Sequence, residues 1–298
     1  MSAPRFGRVL TAVVTPFAPD GSIDYDVAQQ LAKFLVSEGS EGLVVAGSTG
    51  EGSSLSDQEK LNLFACVAEA VTVPVLAGST FANTQQSVAL TAQVKATGVA
   101  GVLATTPAYA RPNQAGIAGH LGAIAERTPL PVMLYDIPSR TGRKIASVTT
   151  VQLVKSHKNI TALKDASGDV VSAAHTKFVL GDALDLYSGD DSVLLSFMAV
   201  GAVGIVSVAA HWAGPEFVGI VRAAEHGKWD KARKLNERIA ASCAFESTES
   251  YPNPMPTKAA LRALGFNVGE CRLPHGPNDA ELDRAAAEIV ASLKIARG

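Results

Sequence analysis

The sequence is 298 residues long, 47% hydrophobic and 18% charged, with 26 basic against 28 acidic side chains and a net charge of −2. So much apolar content at so small a net charge excludes a disordered chain, and the even balance leaves no basic footprint for a nucleic-acid backbone or an anionic membrane. A chain of this length buries a large core, as two ordinary domains or as one α/β barrel.

Short apolar runs recur along the chain at 9–14, 42–46, 73–77, 101–104, 131–135, 160–164, 184–187 and 204–208. Each is bounded by Gly, Pro, Ser, Thr or Asp, which suits strands buried on both faces of a parallel sheet. Amphipathic segments lie between the early ones, at 27–38, 57–70, 84–96 and 114–127. Ser56 followed by Glu59 reads as a capping box that starts the second helix. Eight such units predict a (β/α)8 barrel; a doubly wound open sheet is the competing fold, but no G-x-G-x-x-G follows the first strand. From Ala213 the pattern reads as helical to the end of the chain, more than an eighth barrel helix requires. The expected division is a barrel over 1–225 and a helical subdomain over 226–298.

The stretch 197–211 is the most membrane-like and is too short to span a bilayer. The three cysteines (Cys66, Cys243 and Cys271) are odd in number and widely spaced, and the first residues lack the layout of a secretory signal. A cytoplasmic protein acting on small molecules is the expectation.

In such a barrel the chemistry sits at the carboxyl ends of the strands. Those ends read Thr15; Ser48 and Thr49; Ser79 and Thr80; Thr105 and Thr106; Tyr135; Lys164; Ser188, Asp190 and Asp191; and Ser207. No two His residues stand at metal-ligand spacing, and no Asp/Glu pair stands on separate strand ends, which disfavours zinc hydrolysis and glycoside cleavage. Lys164 is the candidate nucleophile: burial disfavours an ammonium, and a free amine adds to a ketone to give a Schiff base, an electron sink for carbon–carbon bond chemistry. Its structural alternative is a lysine that ends a strand and pairs with Asp165 or Asp169.

The turn Gly47-Ser48-Thr49-Gly50-Glu51 offers amides and hydroxyls to an anion, or is only a turn. Tyr135 puts a phenol at the rim, a proton shuttle or an aromatic plug. Arg140 is suited to bidentate carboxylate binding, or is a solvated loop charge.

Four motifs taken together are specific. The turn 47–51, Tyr135 to Gly142, Lys164-Asp165-Ala166-Ser167-Gly168 and Tyr187-Ser188-Gly189-Asp190-Asp191 resemble the pyruvate-dependent class I aldolases of the dihydrodipicolinate synthase and N-acetylneuraminate lyase family. The likeness runs in order to Asn253-Pro254-Met255-Pro256-Thr257-Lys258. It implies a Schiff base between Lys164 and pyruvate, proton relay by Tyr135 and Ser48, and a pyruvate carboxylate on Thr49. By the same resemblance Tyr109 reaches across a dimer interface into a neighbour's relay, and Gly189 and Val206 line the pyruvate pocket.

Arg140 matches the arginine with which the synthases of the family hold the carboxylate of aspartate semialdehyde. Ser48 stands where those synthases usually carry threonine, and the lyases also use Ser-Thr, so a sugar-acid aldolase, lyase or dehydratase is the alternative. A catalytically silent keto-acid sensor is a third reading, against which the presence of both Lys164 and Tyr135 counts. The resemblance implies no metal or organic cofactor and a homotetramer built as a dimer of dimers. Family members inhibited by lysine hold the effector with an acidic side chain, an asparagine, two histidines and a tyrosine. The positions here carry Gln86, Ala82, Asp57, Lys60 and Ala108, so lysine inhibition is expected to be weak or absent.

Overall fold

The computed structural model describes residues 3–80 and 82–297, with side chains up to residue 293. Eight parallel strands close into a barrel in sequence order: β1 (Val9–Ala12), β2 (Gly42–Val45), β3 (Val75–Gly78), β4 (Gly101–Thr105), β5 (Val132–Asp136), β6 (Ile160–Asp165), β7 (Asp185–Ser188) and β8 (Gly204–Ser207). The (β/α)8 fold expected from the apolar runs is therefore the fold observed, and the open sheet is excluded.

The outer ring is built by α1 (Tyr25–Ser37), α2 (Asp57–Ala70), α3 (Thr84–Val94), α4 (Gln114–Arg127), the single-turn α5 (Pro138–Thr141), α6 (Ser147–Ser156), α7 (Val170–Leu180), α8 (Leu194–Ala199) and α9 (Ala210–Glu225). The capping box forms as read: Ser56 Oγ accepts from the Glu59 amide at 3.2 Å, and Glu59 Oε2 accepts from the Ser56 amide at 2.8 Å. Among the described residues no helix is long and apolar enough to cross a membrane.

Alternation along each strand splits the core in two. Outward residues such as Leu134 and Leu163 pack under the helices, while Leu10, Met133, Ala162 and Val206 fill the barrel interior. Phe6 and Tyr187 belong to that interior cluster, and Tyr187 Oη donates to the Gly7 carbonyl at 2.9 Å. Together they close the amino-terminal floor, so the barrel is a packed plug with its depression at the opposite end.

Beyond α9 come α10 (Trp229–Arg238), α11 (Ala240–Phe245), α12 (Met255–Ala263) and α13 (Ala280–Arg297). The helical reading of this region needs correction: residues 246–254 and 264–279 are not helical. Pro252 and Pro254 interrupt the first stretch, and Gly265 (φ 97°), Gly269 (φ 67°), Pro274 and Pro277 the second. Proline removes a helix donor, and glycine adopts the left-handed backbone without penalty.

These two breaks fold back over the β2–α2 connection. Lys258 Nζ, wholly buried, lies 2.8 Å from Glu51 Oε1 and donates to the Glu270 carbonyl at 2.9 Å. The Arg272 amide donates to Glu51 Oε2 at 2.8 Å, and its guanidinium binds Glu59 and the carbonyls of Gly21 and Ser54. Arg272 thereby holds the Glu59 carboxyl down to about 2. Lys258 Nζ and the Arg272 guanidinium lie 4.2 and 4.4 Å from the centroid of the Phe17 ring, cation–π contacts that anchor the first loop to the same strap.

Candidate active site

Lys164 is the penultimate residue of β6, and alternation turns it into the barrel with Ala162, whereas Leu163 and Asp165 face out. It is 3% exposed, and its Nζ lies 4.3 Å from the centroid of the Tyr135 ring. Register explains the meeting, since Tyr135 and Lys164 are direct cross-strand partners on β5 and β6. The ion-pair alternative for Lys164 is not what forms: Asp169 is taken by Lys144 at 2.6 Å and Asp165 by the Ser167 amide and hydroxyl. Gly189 clears the lysine stem, because a Cβ there would fall 2.9 Å from Lys164 Cγ. Val206 is fully buried in the interior cluster.

The Ser48–Thr49 turn follows β2 through Ala46, which adopts a left-handed φ of 54°. Neighbouring backbone presses on that residue: a Cβ at Gly52 would stand 2.1 Å from the Ala46 carbonyl oxygen, and one at Gly78 2.4 Å from it. Glycine at these positions is a packing requirement of the turn. Thr49 is buried and its Oγ1 accepts from Asn253 Nδ2 at 2.9 Å. Arg140 lies in the short α5 and donates from Nη2 to the Asn253 carbonyl at 3.0 Å. Ser48 and Arg140 line one cleft of ≈ 510 Å³ with Thr80, Thr105, Thr106 and Ile137. A groove of ≈ 630 Å³ between α4 and α6 holds none of the strand-end side chains.

Not every strand-end hydroxyl reaches this mouth. Thr15 donates to the Gly50 carbonyl, Ser79 pairs with Thr91, Ser188 donates to the Asp190 carbonyl, and Ser207 donates to Asp191. Those four secure loops. Tyr109 is 97% exposed with φ 68°, and a single chain does not bring it to Lys164.

Three features escaped the strand-end inventory. Asn253 is one, with no local signal that it touches Thr49. The second is Glu246, after α11. Burial drives the carboxyls of Asp191 and Glu246 up together. Asp191 Oδ2 already accepts from Ser207 Oγ and the Val208 and Ala209 amides, so Glu246 holds the proton of the pair.

The third is a carboxylate pair on separate strand ends, which the sequence reading had excluded. Asp136 and Asp165 are cross-strand partners on β5 and β6, one residue beyond Tyr135 and Lys164 and therefore outside the barrel wall. Burial raises both, Asp136 to about 7. A raised acid keeps its proton in the folded state after the unfolded chain has lost it. Stability from this group is full below about pH 4 and is lost as pH climbs through about 7. The Asp136→Asn variant keeps an acceptor for the Ile145 amide and removes the titration. Chemical denaturation across pH 5 to 8 should show a flatter profile than the parent, by roughly 3 kcal/mol over that interval. A parallel profile for the two proteins would refute the assignment.

Among the described residues no group of three or more His, Cys, Asp or Glu side chains converges as a metal site.

Comparison with known proteins decides the lineage. The profile of the dihydrodipicolinate synthetase family matches residues 5–293. The chain belongs to that family. It is 41% identical over 293 residues to the 4-hydroxy-tetrahydrodipicolinate synthase of Synechococcus elongatus, covering 97% of both chains. A dihydrodipicolinate synthase structure from Bacillus anthracis superposes with a TM-score of 0.93 at 39% identity, covering 97% of this chain and 99% of that one. A dihydrodipicolinate synthase from Cyanidioschyzon merolae with lysine bound gives 0.94 at 36% identity, covering 98% and 99%. Of the positions that the resemblance matches to the effector contacts of lysine-inhibited members, Ala82, Gln86 and Ala108 line the same cleft as Ser48. Lys60 is buried, which holds its amine down to about 8.

Proposed function

We propose that this chain condenses pyruvate with L-aspartate 4-semialdehyde to give 4-hydroxy-tetrahydrodipicolinate, a step of lysine and diaminopimelate biosynthesis. The observation that carries the chemistry is the buried Lys164 amine beside the Tyr135 ring, in a chain whose relatives are synthases of that name. Arg140 in the wall of the cleft favours an aldehyde bearing a carboxylate over a polyol.

Pyruvate docks with its carboxylate on Thr49, and the Lys164 amine adds to the ketone. The Ser48 and Tyr135 hydroxyls move protons while the carbinolamine loses water to give an iminium. Loss of a methyl proton yields the enamine, whose carbon attacks the aldehyde held by Arg140. The substrate's amino group then attacks the iminium carbon, closes the ring and expels the Lys164 amine. Holding both reactants in one cleft removes part of the bimolecular barrier. Borohydride reduction with pyruvate present, followed by peptide mapping, tests the nucleophile. A panel of aspartate semialdehyde, N-acetylneuraminate and keto-deoxy sugar acids tests the aldehyde, and turnover of the sugar acids alone would replace this reading with the lyase one.

The active assembly is a homotetramer in which Tyr109 completes a neighbour's relay, a reading supported by its near-complete exposure on a left-handed turn. Mixing Tyr109→Phe with Lys164→Ala subunits is expected to restore activity. The hybrid dimer then contains one site with its own Lys164 and a partner's intact tyrosine. If the mixture stays as inactive as its parts, Tyr109 does not act across subunits.

Lysine inhibition is expected to be weak or absent, because the effector's ammonium finds no carboxylate at Gln86 and meets a second amine at Lys60. Initial rates across a lysine titration check this, and a sub-millimolar midpoint would contradict it. The cytoplasm is the proposed compartment, consistent with three free cysteines.

A further inference from the structure

Asn253 lies in the non-helical stretch before α12 and is 8% exposed. All of its polar groups are engaged. Its Nδ2 donates to Thr49 Oγ1 at 2.9 Å, and its Oδ1 accepts from Thr257 Oγ1 at 3.2 Å. Its amide donates to Ser247 Oγ at 3.2 Å, and its carbonyl accepts from Arg140 Nη2 at 3.0 Å. One residue therefore meets two groups 204 and 113 positions away, both of which the proposed mechanism assigns to substrate carboxylates.

The polarity of these bonds matters. A threonine hydroxyl has one proton to give and two lone pairs to receive with. The Thr257 hydroxyl fills the Asn253 oxygen, which leaves the amide NH₂ to face Thr49. With Thr49 accepting from that NH₂, its own proton is left to donate elsewhere. An anion in the turn needs such a donor. Arg140 is held differently, by a main-chain oxygen that takes one of its five N–H donors and that side-chain substitution leaves in place.

We propose that Asn253 is a positioning residue that fixes the Thr49 hydroxyl as a donor toward the pyruvate carboxylate, while its main chain separately steadies Arg140. The inference rests on the reading of Thr49 and Arg140 given above, and the two parts of Asn253 have separable consequences. Asn253→Ala should raise the KM for pyruvate about tenfold, the weight of one net hydrogen bond, with the aldehyde KM nearly unchanged. Asn253→Asp has the same shape but only accepts, so it captures the Thr49 proton and sets a negative charge near the carboxylate. It should raise the pyruvate KM by about a hundredfold. Thermal denaturation checks folding, and if the alanine variant does not fold, the isosteric aspartate variant carries the test.

The deciding measurement is a double-mutant cycle with Thr49→Val, read as pyruvate KM. Non-additivity, with Asn253→Ala adding little in the T49V background and Asn253→Asp keeping there only the part due to its charge, supports the proposal. If T49V alone raises KM and the Asn253 effects multiply fully with it, or are absent, Asn253 is not acting through Thr49 and the inference fails while the site reading stands. If T49V alone leaves pyruvate binding unchanged, the assignment of Thr49 and the inference fall together.

Discussion

Lys164→Ala is expected to lower turnover by roughly 10⁵-fold or more, the scale on which loss of a covalent nucleophile acts in other enzymes. Two other lysines of the described residues are already committed, Lys258 to Glu51 and the Glu270 carbonyl, and Lys144 to Asp169. Alanine removes the side chain without leaving a buried charge unpaired, so the barrel should still fold, which circular dichroism will report. Initial rates with both substrates, together with borohydride trapping of labelled pyruvate, check the expectation. A variant that kept turnover within about tenfold of the parent, or still trapped pyruvate on the β6 peptide, would remove Lys164 from the chemistry.

Tyr135→Phe should lower kcat by about 10²–10⁴-fold, the usual contribution of a positioned general acid–base, with little change in the KM for pyruvate. The substitution is selective for a physical reason. The ring under Lys164 Nζ stays in place, as does its packing in the interior cluster, and only the hydroxyl is lost. A structural plug would tolerate that loss. Steady-state kinetics separate the two cases: a fall confined to kcat supports the relay, and an unaltered kcat assigns Tyr135 to packing alone.

The barrel was legible because strands buried on both faces must be apolar throughout, so all eight announce themselves as short runs between breakers. Lys164 and Tyr135 were legible because each closes an otherwise apolar run at the carboxyl end of a strand, where the chemistry of such a barrel sits. Asp136 and Asp165 were hidden by one residue. Ending β5 at Tyr135 and β6 at Lys164 stops short of the carboxylates that follow, and a shift of one position moves a side chain to the opposite face.

The C-terminal breaks were masked by alanine-rich periodicity on either side, which outweighs a Pro or Gly when a window is read as a whole. Asn253 stands in the last of the matched motifs, but its role could not be read there. Its importance is a contact with Thr49 across 204 positions, and such proximity is a property of topology. Tyr109 shows the converse, since its motif is evident in the chain while its side chain finds no place in the site of a single copy.

The stopper formed by Phe6 and Tyr187 at the floor of the barrel has a kinetic corollary for the proposed reaction. With the base of the barrel sealed, traffic has one doorway. The keto acid tethered deepest must arrive first, the aldehyde must follow over it, and the ring must depart by the way its precursors came. Such a dead end imposes a strict sequence of binding and release, and makes accumulated product a competitor for the next pyruvate.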